Sequence, residues 1–183
     1  MEQELKEYQE QLEFLAFHDP LTRLPNRTLF WDRASQAITD AKHNGHGIAI
    51  LFLDCDRFKN VNDTYGHDIG DEVIKELGRR VSISIGESDT VAHLGGDEFT
   101  VLLPHTNTQQ DVVEVATRIL QSTRSSWKIG GYVFTLTVSI GAAIYPSDGM
   151  DARTLVKRAD AALYDAKQKG KNTCVFYGLR SNA

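Results

Sequence analysis

The sequence predicts an α+β sandwich, and three observations carry that prediction. Ile48-Ala49-Ile50-Leu51-Phe52-Leu53 is an unbroken apolar run, the pattern of a central strand covered on both faces. Thr90 to Leu94 and Phe99 to Leu103 are short strands joined by Gly95-Gly96-Asp97-Glu98, a tight-hairpin signal. The whole order reads helix, strand, helix, hairpin, helix, strand, helix, strand. A βαββαβ core with helices on one face of a mainly antiparallel sheet fits that order, with further helices packed around it.

Each element has its own local reason. Residues 1–17 are rich in Glu, Gln, Lys and Leu, and Leu5, Tyr8, Leu12 and Leu15 recur at 3, 4, 3 spacing, a narrow coiled-coil seam. Such a helix is either a linker or dimerising stalk, or folds back on its own domain. The segment from His18 to Asn26 is punctuated by Pro20 and Pro25 and reads as loop. Asn26 stands at an N-cap position, with Leu29, Phe30, Arg33, Ala37 and Ile38 following at helical spacing. After the apolar strand a polar loop or short helix runs to Gly66, then a helix near Ile69 to Ile85. A helix from about Thr108 to Ser122 follows the hairpin. Tyr132 to Ile144, dense in β-branched residues, reads as one long strand, preceded by a short edge strand at Trp127 to Ile129. Ala152 to Lys169 is a helix closed by Gly170, and Val175-Phe176-Tyr177 forms a last strand. The domain proper is thus 18–178, with a tail at 179–183.

Composition narrows the function classes. Of 183 residues, 41% are hydrophobic and 25% charged, enough for one cored domain plus a short appendage. The net charge of -5 argues against a nucleic-acid partner, since such binders carry a basic face. Cys55 and Cys174 are far apart and form no CxxC motif, which fits a reducing cytoplasm. The apolar runs are strand-sized, and no secretory leader opens the chain.

The chemistry concentrates in acids. Asp54 and Asp56, at i and i+2, cap the apolar strand on one face. An isolated pair of this kind is ordinarily a solvated loop start, but the hairpin adds Asp97 and Glu98 at the tip of neighbouring strands. Gly95 and Gly96 leave no side chains there, so a ligand can approach the backbone. Oxygen donors of this kind suit Mg²⁺ or Mn²⁺, completed by substrate phosphates, and acid clusters on adjacent strands point to two-metal phosphoryl transfer.

Gly95-Gly96-Asp97-Glu98-Phe99 is identical to the signature pentapeptide of the GGDEF family, the diguanylate cyclases. Other segments resemble the family in order. They are Asp19-Pro20-Leu21-Thr22 with Leu24-Pro25-Asn26-Arg27, the stretch from Asp54 to Asp63, Tyr65 to Asp71, Val138-Ser139-Ile140-Gly141, and the helix from Ala159 to Lys167. The resemblance implies a ferredoxin-like, nucleotidyl-cyclase-like core that condenses two GTP into cyclic di-GMP. It implies metal binding by Asp54, the Cys55 backbone carbonyl and Asp97, with two ions per site. Asp97 becomes the candidate for activating the ribose 3′-hydroxyl, with Glu98 in the same acidic tip. Asn62 and Asp71 become guanine contacts; Asp71 can accept from the ring N–H and the exocyclic amine together, a donor pair that adenine lacks. Lys167 and Lys171 would hold terminal phosphates, and Phe58, Lys59, Gly95 and Gly96 complete the nucleotide-binding set.

One site holds one GTP and the product contains two guanylates, so catalysis needs a homodimer. The family also implies an upstream sensor and, in relatives with a similar opening loop and metal strand, an attached EAL phosphodiesterase. A silent GTP-binding module regulating such a partner is the alternative reading. Three departures stand out: Arg23 where the opening loop usually has Gly, His93 where an Arg often precedes the signature, and a degenerate inhibitory product site. In that last site Gly86 replaces the Arg of an Arg-x-x-Asp pattern and Asp89 is retained.

Overall fold

The computed structural model describes residues 1–179; the tail expected at 179–183 lies, beyond Leu179, outside them. In chain order the first elements are α1 (Glu2–Phe17), α2 (Arg27–Asn44), β1 (Gly47–Cys55), α3 (Phe58–Tyr65), α4 (His67–Ser84), β2 (Thr90–Gly95) and β3 (Glu98–Thr106). There follow α5 (Gln109–Arg124), β4 (Trp127–Ile129), β5 (Tyr132–Phe134), β6 (Val138–Tyr145), α6 (Ala152–Gln168), β7 (Cys174–Phe176) and a 3-10 turn at Tyr177–Leu179.

The five-stranded sheet has the order β2-β3-β1-β6-β7, with β1 antiparallel to both β3 and β6. Only the β6–β7 pair is parallel. The unbroken apolar run of β1 has the reason expected for it: its residues alternate between two cores. Ala49, Leu51 and Leu53 face one core with α4 and α5, while Ile48, Ile50 and Phe52 face the other with α2 and α6. The βαββαβ helices α4 and α5 therefore share one face, and α2 and α6 cover the reverse.

Local signals account for the helix ends. The Asn26 side chain accepts from the Leu29 N–H at 3.1 Å, and Gly45 closes α2 in the left-handed conformation. Thr108 and Asp111 form a reciprocal capping box on α5. Buried Arg80 ties α4 to the end of α5. It donates to the carbonyls of Ser122, Ser125 and Ser126 at 2.9–3.0 Å, and its guanidinium lies 4.2 Å over the buried Trp127 ring.

Two sequence expectations need correction. Tyr132 to Ile144 is not one strand: β5 and β6 are separated by residues 135–137, and β5 pairs with β4 in its own two-stranded hairpin. The segment Trp127 to Ile129 is therefore not an edge of the main sheet. A β-branched run reports extended backbone, but not which sheet receives it. The seam of α1 is uncovered: Leu5, Tyr8, Leu12 and Leu15 are 61%, 60%, 52% and 52% exposed, and no residue of α1 is buried. The C-terminal end of α1 is tied to the opening loop, where the Asn26 amide donates to the Ala16 carbonyl at 3.0 Å.

Candidate active site

The end of β1 and the β2–β3 turn meet at one rim of the sheet. Asp54 is in register with Glu98 across the β1–β3 pair and with Ser139 across the β1–β6 pair. Gly95 pairs with Glu98, leaving Gly96 and Asp97 as a two-residue turn. Gly95 and Gly96 have φ values of +134° and +52°, and nothing stands within 4 Å of an added Cβ. Glycine is required there by backbone conformation, and the open space leaves the turn approachable.

The acids converge electrostatically. Burial is the main cause that pushes the Asp54 carboxyl up to about 6, opposed by Lys167 and reinforced by Asp97 and Asp56. Asp97 is also raised, first by burial, although the nearby backbone N–H groups of Asp97 and Cys55 and the Lys167 charge oppose the rise. These half-buried acids form a cation-seeking cluster, and every donor is oxygen: two carboxylates and the neighbouring Cys55 carbonyl. That set fits Mg²⁺ or Mn²⁺. Glu98 is exposed on the same rim.

Lys167 reaches back from α6 and its Nζ lies 2.7 Å from Asp54 Oδ1. This lysine, rather than Lys59, stands against the acids; Lys59 lies exposed on α3. Asp56, which the strand pattern made a twin of Asp54, does different work. It is buried and accepts from the Thr137 and Ser139 hydroxyls, both at 2.6 Å, and from the Asn172 N–H at 3.0 Å. Asp56 therefore joins β1, β6 and the loop after α6. Lys171 lines a hollow of about 430 Å³ together with Asp56, Asn60 and Arg57; Asp54, Asp97 and Lys167 do not line it. Sequence reasoning passed over Arg57. Its positive φ of 58° at the start of α3 is the structural signal for it, and no sequence pattern encodes that.

Asn62 and Phe58 of α3 converge on Gly70 of α4, one residue before Asp71. A Cβ on Gly70 would lie within van der Waals overlap of Asn62 Oδ1 and 3.4 Å from the Phe58 ring. The two proposed guanine contacts are thus carried on adjoining helices that meet through a glycine.

The departures have local explanations. Arg23 adopts φ 62°, and its guanidinium lies 4.3 Å over the Phe14 ring, linking the opening loop to α1. His93 is buried, with Nδ1 3.0 Å from Asp19 Oδ2 and Nε2 2.8 Å from the Gly96 carbonyl. It connects the opening loop to the signature turn, and its ring packs on Phe99 at 4.8 Å. Asp89 is engaged locally, accepting from the Gly86 N–H at 2.8 Å.

Sheet order and rim acids together define the class: an α+β domain that gathers carboxylates at the tip of a glycine hairpin. The model of the family described as "Diguanylate cyclase, GGDEF domain" matches residues 16–173, and the chain belongs to the GGDEF family. The bifunctional diguanylate cyclase/cyclic di-GMP phosphodiesterase MucR of Pseudomonas aeruginosa is 41% identical over 169 residues, covering 92% of this chain and 24% of MucR. Diguanylate cyclase TpbB of P. aeruginosa is 39% identical over 159 residues, covering 86% of this chain and 37% of TpbB. The chain thus spans only a quarter to two-fifths of these relatives. The solved GGDEF domain of TpbB superposes with a TM-score of 0.86 at 38% identity, covering 87% of this chain and 94% of that one. The coiled coil and GGDEF domain of DgcB from Caulobacter crescentus, in complex with c-di-GMP, superposes at 0.82 and 31% identity, covering 95% and 92%. Among the described residues no helix is long and apolar enough to cross a membrane.

Proposed function

We propose that this domain is a diguanylate cyclase, joining two GTP into cyclic di-GMP with release of two pyrophosphates. One observation carries the reading: the β1–β3 register sets Asp54 opposite Glu98, the neighbour of Asp97 in the tight turn, so the acids gather at one rim. Two Mg²⁺ or Mn²⁺ per site would neutralise the triphosphate and lower the pKa of the attacking hydroxyl. Asp54, the Cys55 carbonyl and Asp97 hold them. Asp97 is the group that takes the 3′-hydroxyl proton, with Glu98 beside it. Lys167 and Lys171 steady the terminal phosphates, and Asn62 and Asp71 read guanine. Each 3′-oxygen then attacks the α-phosphorus of the GTP on the opposite protomer, and pyrophosphate leaves with the former β,γ-phosphates.

That geometry needs a two-fold dimer. The uncovered seam of α1 supports a stalk that pairs two chains. Incubation of concentrated protein with GTP and Mg²⁺ should yield cyclic di-GMP, Asp97→Ala should abolish it, and the rate per domain should fall on dilution. A rate per domain that stays flat far below the dimer Kd overturns the half-site mechanism. Added product should inhibit little through the degenerate site, because Asp89 alone cannot clamp an anionic dinucleotide.

A second reading has its own support. NbdA of P. aeruginosa and PdeR of Escherichia coli, named cyclic di-GMP phosphodiesterases, are 36% and 38% identical to this chain. A regulatory module attached to such an enzyme would bind GTP with metal yet form no product at any concentration. The complete acid set favours catalysis.

A further inference from the structure

At the opposite end of β1 from the acidic rim, three potential metal ligands converge from three parts of the chain. Asp40 lies on α2, His46 in the loop before β1, and His105 near the end of β3. Their ligand atoms all lie within 4.8 Å of one another. His46 Nε2 is 3.1 Å from Asp40 Oδ2, and the rings of His46 and His105 lie 4.4 Å apart, centroid to centroid. The cluster is remote from the reaction site: the seven steps from Gly47 to Asp54 span about 23 Å of strand.

We propose that Asp40, His46 and His105 form a second metal site, selective for a transition-metal dication of the zinc class.

Ligand chemistry sets the class. Two imidazoles and one carboxylate suit zinc-like ions and disfavour magnesium, which takes oxygen donors. Geometry agrees. Ligands held about 2.0–2.1 Å from a tetrahedral ion stand about 3.3 Å apart, so the His46–Asp40 spacing already matches, and no other pair needs to close by more than ~1.5 Å. The surrounding hydrogen bonds point the same way. His46 Nδ1 is 3.1 Å from the Gly47 carbonyl, the outer-shell contact that fixes a ligating imidazole with its Nε2 lone pair free. A neutral imidazole has a single N–H and cannot donate to both Gly47 and Asp40. If Nδ1–H is given to Gly47, Nε2 and Oδ2 face each other across 3.1 Å, a gap that either a proton or a metal ion can bridge. Asp40 is steadied in turn by the Asn44 amide, which donates to Oδ1 at 2.6 Å. Such an ion would join the end of α2 to the β1–β3 pair, where Gly47 and Thr106 are partners.

The test uses chelator-treated chain carrying Asp54→Asn and Asp97→Asn, so that the rim acids cannot contribute. Titration with Zn²⁺ should show one equivalent bound, Co²⁺ should give visible ligand-field bands of a nitrogen-containing site, and Mg²⁺ should not compete. His46→Gln or His105→Gln should weaken Zn²⁺ binding at least tenfold. Saturating Zn²⁺ should raise Tm by on the order of 5–10 °C at a hundredfold excess over Kd, and that rise should vanish in either variant. Binding of Zn²⁺ that is absent, or unchanged by both substitutions, overturns the proposal and leaves a proton only between His46 and Asp40. Broadening of the His46 and His105 ring resonances by Co²⁺ in the unsubstituted chain provides a readout that does not depend on how the variants fold.

Discussion

Replacing Gly70 by Ala should leave the domain folded and weaken its hold on GTP. The added Cβ would overlap Asn62 Oδ1 and crowd its Cγ at 3.0 Å, while the Phe58 ring, at 3.4 Å, is at ordinary contact distance. The clash therefore falls on the end of a rotatable side chain, and a turn about χ1 or χ2 of Asn62 relieves it without moving backbone. Gly70 lies inside α4, where Ala is favoured over Gly by up to about 1 kcal/mol, so stability should change little in either direction. Asn62, however, must move its amide roughly 1.5 Å to regain normal contact, and the guanine hydrogen bond proposed for it cannot survive that. One lost hydrogen bond to ligand is worth about 1–1.5 kcal/mol, or roughly tenfold in Kd. Isothermal titration with a non-reactive α,β-methylene GTP analogue and Mg²⁺ measures this directly, with urea unfolding as the control for the fold. An unchanged Kd in a normally stable Gly70→Ala protein would refute the role given to Asn62.

Gly141→Ala presents the contrasting case. Its Cβ would strike the backbone of α6 at Ala159, Ala162 and Leu163, so the helix itself must withdraw, and a loss of about 3 kcal/mol or more should appear as a lower urea midpoint at constant slope. Glu76 is held down to about 2 from an ordinary 4.5, first by its hydrogen bond from Arg79, with Arg80 also donating. Its folded value lies below its unfolded one, so its contribution is complete above pH ~4.5 and is lost as pH falls toward 2. Discounted for solvent screening, Glu76→Gln should cost about 1–2 kcal/mol at pH 7 and less than half of that at pH 3, read from urea midpoints at the two pH values. His93→Leu cuts the link between the Gly96 carbonyl and Asp19, which keeps its two hydrogen bonds from Thr22, and should cost about 1–2 kcal/mol in unfolding experiments while slowing cyclic di-GMP formation.

Much of this molecule can be read locally. The run from Ile48 to Leu53 implied cover on both faces, and α4 and α5 on one side with α2 and α6 on the other supply it. Asn26 announced the start of α2, and the glycine pair announced the hairpin. What stayed hidden depends on partners distant in sequence. Nothing near Asp56 reveals that Thr137, Ser139 and Asn172 are its partners, and nothing near Lys167 points to Asp54. Both contacts follow from the β1–β6 register and from α6 lying over it. The break at residues 135–137 was illegible for a related reason: extended backbone there serves two separate sheets, and residue preference alone does not say where one ends. The Asp40–His46–His105 cluster likewise arises only because the β1–β3 pairing draws His46 and His105 to one end.

The division of labour between Asp54 and Asp56 bears on how such a domain ages in evolution. A relative without cyclase activity could lose Asp54 with little damage to its shape, since what goes with it is the ion pair to Lys167. Shedding Asp56 would unfasten two hydroxyls and a main-chain amide at once. Retired members of the lineage should therefore carry the second letter of the Asp-x-Asp pair long after the first has drifted.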